Sequence, residues 1–252
     1  MKTLAQIGVV GGLLVASAGA ARTASGAAFA LNWMSLAPTP YGSSVPNNSV
    51  FFLPGAGTVT LSYSFSGFFQ DGRLHNAFLD NGTITNGADT YSWGHSEFFD
   101  ALHLGPVPSG PAPWSITFTF SNTQGAGDIY LGVAGLGQTT DNGGGATTAT
   151  VFQSGMFMGE WSGGANYGAN QFSGGSGSFQ LQNSATGIGG SNPWWNSQLA
   201  VVRIDDVISS LTVHFSQLNG DGVIVNIAAV PTPGSAALLG GAALLGVKRR
   251  RR

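Results

Sequence analysis

Apolar and polar residues alternate along much of the chain between residues 31 and 229. Apolar side chains occupy every second position in residues 59–65 and 114–120, and residues 211–215 and 223–227 repeat the pattern. Alternation with β-branched and aromatic residues is typical of half-buried strands. Further candidate strands are residues 129–133, 179–181 and 199–204.

Turn-forming residues separate these segments, as in Asp80-Asn81-Gly82 and in residues 141–143 and 219–222. The spacing predicts nine to eleven strands, and no stretch of useful length has helical periodicity, since residues 97–104 fit a strand equally well. We therefore expect an all-β fold, an antiparallel β-sandwich of jelly-roll or lectin-like type. Residues 31–229 would form this single body.

The first residues have the order of a signal peptide. Lys2 supplies a positive charge, residues 7–16 form an apolar run, and small residues follow. We expect an N-terminal signal helix in residues 1–20, cut by signal peptidase after Ala20. A second candidate cleavage site follows Ala30.

The last 23 residues contain three features in order. A proline-bracketed motif, Pro231-Thr232-Pro233, ends the body because proline blocks both strand and helix. Residues 236–247 are purely apolar and predict a short hydrophobic helix. The basic tail is Lys248, Arg249, Arg250, Arg251 and Arg252. Five cations would keep that end of the helix in the cytoplasm and the body outside.

This tail resembles the PEP-CTERM family of sorting signals, which have a Pro-Glu-Pro motif, a transmembrane helix and a basic cluster. Thr232 stands where the family has glutamate. The resemblance implies transient anchoring in the membrane, processing by an exosortase-like enzyme, and display at the cell surface or release outside the cell. A plain C-terminal membrane anchor is the alternative, and it also places the body outside.

Charge is distributed unevenly. Between Ala30 and Val230 only Arg73 and Arg203 are basic, whereas all eleven acidic residues lie there. An acidic body is repelled by phosphate backbones, so we expect no nucleic-acid partner. The chain has no cysteine, which excludes disulfides and thiolate chemistry.

Motifs of catalysis are missing from the sequence. Neither Gly-x-Ser-x-Gly nor His-Glu-x-x-His occurs around the four histidines, and Asp205 and Asp206 would point to opposite faces of a strand. We therefore expect no enzymatic activity, no catalytic residue and no cofactor.

Metal sites are weakly indicated. In a strand over residues 95–103, His95, Glu97 and His103 would share one face, which more often is a solvated polar face than a metal site. Calcium is the better candidate ion, because loop carboxylates, amides and carbonyls suit it. Its candidate ligands are Asp141, Asn142, Asn219 and Asp221.

Carbohydrate is the best candidate ligand of the body. Trp194, Trp195 and Asn196 lie in a glycine-, serine- and asparagine-rich context that predicts a loop. Exposed indole rings beside an amide suit sugars, which offer an apolar face and hydroxyls. The expected function is a structural protein of the cell surface or extracellular matrix. The alternative is a carbohydrate-binding, lectin-like surface module that binds extracellular polysaccharide.

Overall fold

The computed structural model describes residues 26–40, 42–65, 69–76, 79–103, 111–139, 145–163, 167–184, 196–217 and 222–230. Within these ranges the chain is all-β, and no helix there is long and apolar enough to cross a bilayer. The first ten strands are β1 (Ala28–Ala30), β2 (Asn32–Trp33), β3 (Ser49–Leu53), β4 (Gly57–Phe65), β5 (Phe69–Asn76), β6 (Thr83–Asn86), β7 (Asp89–Ser92), β8 (Glu97–His103), β9 (Ala112–Gln124) and β10 (Ile129–Ala134). The others are β11 (Gln138–Thr139), β12 (Gly145–Ala146), β13 (Thr148–Val151), β14 (Gly155–Trp161), β15 (Asn170–Gly174), β16 (Phe179–Asn183), β17 (Leu199–Ile204), β18 (Ile208–Gln217) and β19 (Gly222–Ala229).

Two seven-stranded antiparallel sheets dominate the architecture. Sheet I has the order β14-β17-β10-β19-β8-β5, with β2 also paired to β19. Sheet II has the order β15-β16-β13-β18-β9-β4-β3. The predicted all-β class with antiparallel sheets is confirmed, and the arrangement is consistent with a β-sandwich.

The main core lies between the two sheets. It combines Leu131 and Val225 of sheet I with Leu61, Phe118 and Val213 of sheet II, all fully buried. Leu61, Phe118 and Val213 come from alternating segments that predicted strands, and alternation places every second side chain on the inner face. Each predicted strand of the body is present at or within one of the observed strands.

A third layer covers the outer face of sheet I. It is the small sheet β1-β7-β6, in which β1 pairs with β7 in parallel. Ile84 and Tyr91 of this layer pack in a second core with Trp33, Tyr130 and Met158. The expectation of half-buried strands is therefore wrong for the centre of sheet I, because its strands β10, β17 and β19 are buried on both faces. Strands buried on both sides are continuously apolar rather than alternating.

The described residues contain more strands than the sequence pattern predicted. Strands of two to five residues such as β1, β2, β6 and β7 are too short to show a period, and their pairing depends on distant partners. The predicted turn at Asp80-Asn81-Gly82 is confirmed, with Asn81 in the left-handed region (φ 57°). Strand β8 begins at Glu97, so His95 lies just before it.

Candidate functional site

A cavity of ≈ 220 Å³ lies on the outer side of sheet I, where β10 ends and β17 and β19 begin. We call it the end cavity. Its walls combine one carboxylate, one amide, one phenol and several aliphatic side chains. The lining residues are Leu79, Asp100, Ala134, Gly135, Tyr167, Asn196, Ser197, Leu199, Gly222 and Ile224.

Strand register brings the floor of the end cavity together. Ile224 of β19 pairs with Asp100 of β8 on one side and with Ala134 of β10 on the other. Residues paired in register across neighbouring strands point to the same face. Sheet I therefore places a carboxylate beside two apolar side chains in one row.

The rim of the end cavity is fixed by main-chain hydrogen bonds. Gly135 and Ser197 are joined by N–H donation from Gly135 to the Ser197 carbonyl (3.1 Å), and the Ser197 N–H donates back to the Leu136 carbonyl (3.1 Å). The indole N–H of Trp93 donates to the Leu79 carbonyl (2.7 Å), which fixes Leu79. The cavity is thus bounded by main chain as well as by side chains.

Asn196 brings a side-chain amide to this rim. Its main-chain carbonyl accepts from the Gly168 N–H (2.9 Å), while its side-chain Oδ1 is buried without a hydrogen-bond partner. A buried acceptor without a donor costs free energy that a bound donor group recovers. Among the described lining residues, Asn196 is therefore the one whose side-chain amide contributes an unpaired acceptor beside the cavity.

The sequence predicted Asn196 as a site residue only through its neighbours Trp194 and Trp195. Those two tryptophans lie outside the described residues, as do the calcium candidates Asp141, Asn142, Asn219 and Asp221. The sorting motif Pro231, Thr232 and Pro233 and the basic tail Lys248, Arg249, Arg250, Arg251 and Arg252 also lie outside them. Asp100 and Tyr167 of the end cavity were missed, because no local motif marks residues that only strand register brings together.

His95 bridges two carboxylates at another place on the surface. Its Nδ1 lies 3.2 Å from Asp80 Oδ1 and its Nε2 lies 3.4 Å from Glu97 Oε1. Partial burial lowers the pKa of His95, but the hydrogen bonds and charges of Asp80 and Glu97 outweigh burial and raise it above the ordinary value. Burial likewise raises the pKa of Asp80, but the Ser96 N–H and His95 outweigh it and lower that pKa.

His95, Asp80 and Glu97 form a cluster with a structural role, which we call the His95 clip. Glu97 Oε2 also accepts the Leu36 N–H, and Asp80 Oδ1 accepts the Ser96 N–H (2.7 Å), so both carboxylates already hold main chain. In the part of the chain that the structure describes, no group of three metal-binding side chains is suited to an ion. The sequence predicted that His95 and Glu97 share one face of a strand. In the structure His95 lies just before β8, and its side chain contacts Glu97 directly.

Asp205 and Asp206 occupy the turn between β17 and β18, not a strand as the sequence suggested. Asp205 Oδ1 accepts from Arg203 Nε at 2.6 Å, and that hydrogen bond raises the pKa of Arg203. Asp206 Oδ2 accepts the Ser154 N–H at 2.7 Å. Both carboxylates therefore stabilise the main chain around this turn, because each accepts a hydrogen bond from a nearby residue, Arg203 or Ser154.

The outward side of sheet II is a broad surface without ionised groups, which we call the neutral face. No aspartate, glutamate, lysine or arginine occurs anywhere in the seven strands of this sheet. His214 is its one titratable side chain among the described residues. The outward serine, threonine and glutamine residues are Thr58, Thr60, Ser62, Ser64, Ser115, Thr117, Thr119, Ser121, Thr148, Thr150, Gln171, Ser173, Gln180, Gln182, Ser210, Thr212 and Ser216.

Side chains of the neutral face bond one another across strands. Thr117 and Thr212 hydroxyls lie 2.9 Å apart, and Gln180 Nε2 donates to Thr150 Oγ1 at 3.1 Å. At the β3 edge the polar surface gives way to Val50 and Phe52, which are 62% and 58% exposed. The neutral face thus offers hydroxyls, amides and an apolar border. It carries no ionised side chain that would favour a partner of opposite charge.

No protein-family model matches the chain. No significant match is found among curated proteins or among solved structures. Function is therefore inferred from the neutral face and the end cavity.

Proposed function

We propose that this chain is an exported structural protein of the cell surface or extracellular matrix, sorted through its PEP-CTERM-like tail. The observation that carries the proposal is the neutral face, seven strands wide and free of ionised side chains. We further propose that the body is a sandwich of jelly-roll or lectin-like type, flanked by an N-terminal signal helix and a short C-terminal hydrophobic helix.

Surface charge keeps proteins soluble and apart, since like charges repel. In the described residues, the aspartates, glutamates and arginines lie in sheet I, in the small sheet or in turns, and none lies in a strand of sheet II. The neutral face can approach an uncharged polymer, or another molecule with a similar surface, without desolvating an ion. Such an asymmetric body suits a component embedded in a matrix with its acidic side toward water.

Export is supported by the order of features at both ends of the sequence. The position of β1 favours cleavage after Ala20, because cleavage after Ala30 would remove Ala28–Ala30, the strand that pairs with β7. The small sheet would then lose one of its three strands.

The mature protein's intact mass, measured with its cell fraction in the native host, tests the sorting proposal. We expect a surface or extracellular protein that lacks residues 1–20 and the basic tail. A membrane-bound protein that retains Arg252 would contradict sorting and favour a plain anchor.

Charge placed on the neutral face tests the matrix role. We expect that Thr58→Lys combined with Thr119→Lys lowers the matrix-bound fraction severalfold, because both side chains are exposed there and lysines would have to be desolvated. The matched control is Thr83→Lys with Thr85→Lys, two exposed threonines on β6. Equal retention of both variants would exclude the neutral face as the matrix contact.

Carbohydrate binding by a lectin-like surface module is the second candidate function. It is favoured by the position of Asn196, which lines the end cavity and directly follows Trp194 and Trp195 in sequence. Changing both tryptophans to alanine should weaken binding to polysaccharide extracted from the host matrix. Unchanged binding by a folded double variant would reject a role for the tryptophans.

A further inference from the structure

We propose that the end cavity binds a single uncharged sugar ring at the end of a glycan. This inference rests on the carbohydrate-binding candidate and adds the size and chemistry of the ligand. The volume of ≈ 220 Å³ is below the roughly 300–1,000 Å³ of pockets for drug-sized molecules. Space of this size suits one six-membered ring with its hydroxyls, not a stretch of polymer.

The polar wall requires a ligand that carries hydrogen-bond donors. Asn196 and Asp100 bring an amide and a carboxylate to the lining of the cavity. A sugar hydroxyl can donate to an oxygen of either group. It can also accept from the Asn196 amide nitrogen, so the argument holds for both orientations of that amide.

Charge selects against acidic ligands. Asp100 is the one ionisable carboxylate among the lining residues, and it would repel a uronic acid or a phosphate. An uncharged ring therefore fits the cavity better than an acidic one.

The apolar wall matches the other half of a sugar. Leu79, Leu199 and Ile224 line the cavity with aliphatic surface, and Tyr167 adds an aromatic ring. A pyranose presents C–H groups on one face and hydroxyls around its edge, so apolar and polar walls can be filled together.

Main chain closes one side of the cavity. Gly135 and Gly222 both line it, and a Cβ on Gly135 would lie 2.4 Å from the Gly222 carbonyl oxygen. The two backbone segments therefore approach each other closely on this side of the cavity. Together with the small volume, this close approach favours a terminal ring over an internal one.

Isothermal titration of the purified mature protein with free glucose, galactose, mannose, N-acetylglucosamine and glucuronic acid tests the proposal. We expect at least one neutral sugar to bind with a dissociation constant on the order of 1 mM. The same sugar should displace the protein from host matrix polysaccharide.

Asn196→Leu should weaken binding about tenfold, whereas Asn196→Asp keeps an acceptor oxygen and retains binding. The control Asn122→Leu changes an exposed amide on β9 and should have no effect.

The outcomes separate this inference from the functions above it. Polysaccharide binding that no free sugar displaces and Asn196→Leu leaves unchanged would overturn the end cavity as the site, while carbohydrate binding would stand. Preference for glucuronic acid would overturn the neutral ligand. The absence of binding to every sugar and polysaccharide would reject the carbohydrate-binding candidate itself. If Asn196→Leu does not fold, Tyr167→Phe, a variant of another lining residue, replaces it, and unchanged sugar binding by that variant would overturn the end cavity as the site.

Discussion

The indole ring of Trp33 lies over Gly132, in the space that a side chain on β10 would fill. A Cβ on Gly132 would be 2.5 Å from Trp33 Cη2 and 3.2 Å from Phe98 Cε1. Trp33 in turn packs against Trp93 with ring centroids 5.7 Å apart and nearly perpendicular planes. Gly132 therefore leaves room for Trp33 on the outer face of sheet I, where Trp33 packs in the second core beneath the third layer.

Gly132→Ala should destabilise the fold by about 1–3 kcal/mol, because a methyl group in this packed space forces Trp33 to move. Urea unfolding followed by tryptophan fluorescence measures the change. Gly94→Ala is the matched control, since nothing lies within 4 Å of a Cβ there, and its effect should stay within about 0.5 kcal/mol. Equal stability of the two variants would contradict the packing argument.

Gln217 joins the two large sheets inside the main core. Its Oε1 accepts the Trp114 indole N–H at 2.6 Å, and its Nε2 donates to the Ala101 carbonyl at 2.9 Å. Gln217→Met leaves both groups buried without these partners and should cost about 2–4 kcal/mol. Gln182→Met on the neutral face should cost less than about 0.5 kcal/mol. Thermal unfolding of the two variants compares them directly, and similar melting temperatures would disprove this role of Gln217.

Asn226 connects the ends of β2 and β8, the two strands that flank β19 on one side. Its Nδ2 donates to the carbonyls of Met34 (2.8 Å) and Glu97 (2.6 Å). Asn226→Leu removes both donors from a buried position and should lower the free energy of unfolding by about 2–4 kcal/mol. Hydrogen exchange should show faster opening of residues in β2 and β8 than in sheet II. Uniform protection in the variant would argue against a local role.

The His95 clip should make stability depend on pH. Because contacts with Asp80 and Glu97 raise the pKa of His95 in the folded protein, protonated His95 stabilises the fold below the ordinary histidine pKa of about 6.5. That contribution is lost as pH rises through the raised pKa. The lowered pKa of Asp80 acts oppositely, since its contribution is present above the ordinary aspartate pKa and is lost as pH falls through the folded value.

His95→Gln should flatten this dependence on the alkaline side. Because His95 is exposed, screening limits the expected fall in melting temperature of the wild type to about 1–2 °C between pH 6 and pH 8. Differential scanning calorimetry of both proteins across that range measures it. A fall of the same size in His95→Gln would assign the pH dependence to another group.

Strand positions in the main core were predictable because alternation reports one buried face directly. Residues 59–65 and 114–120 alternate, and they form the inner strands β4 and β9 of sheet II. Asn196 was also singled out from its context, although nothing local indicated that it lines a cavity with Asp100. The third layer was harder to predict. The uninterrupted apolar runs of β10 and β17 indicate strands buried on both faces, but they do not show what covers the second face.

The sequence by itself determined the all-β class, the inner face of each long strand, the acidic body and the targeting features that we propose at both ends. Only the tertiary structure decided which strands share a sheet. Pairing depends on contacts between residues far apart in the chain, and alternation says nothing about the neighbour. The neutral face and the end cavity arise from that pairing, because sheet II gathers seven uncharged strands and the β8–β19–β10 register aligns Asp100, Ile224 and Ala134.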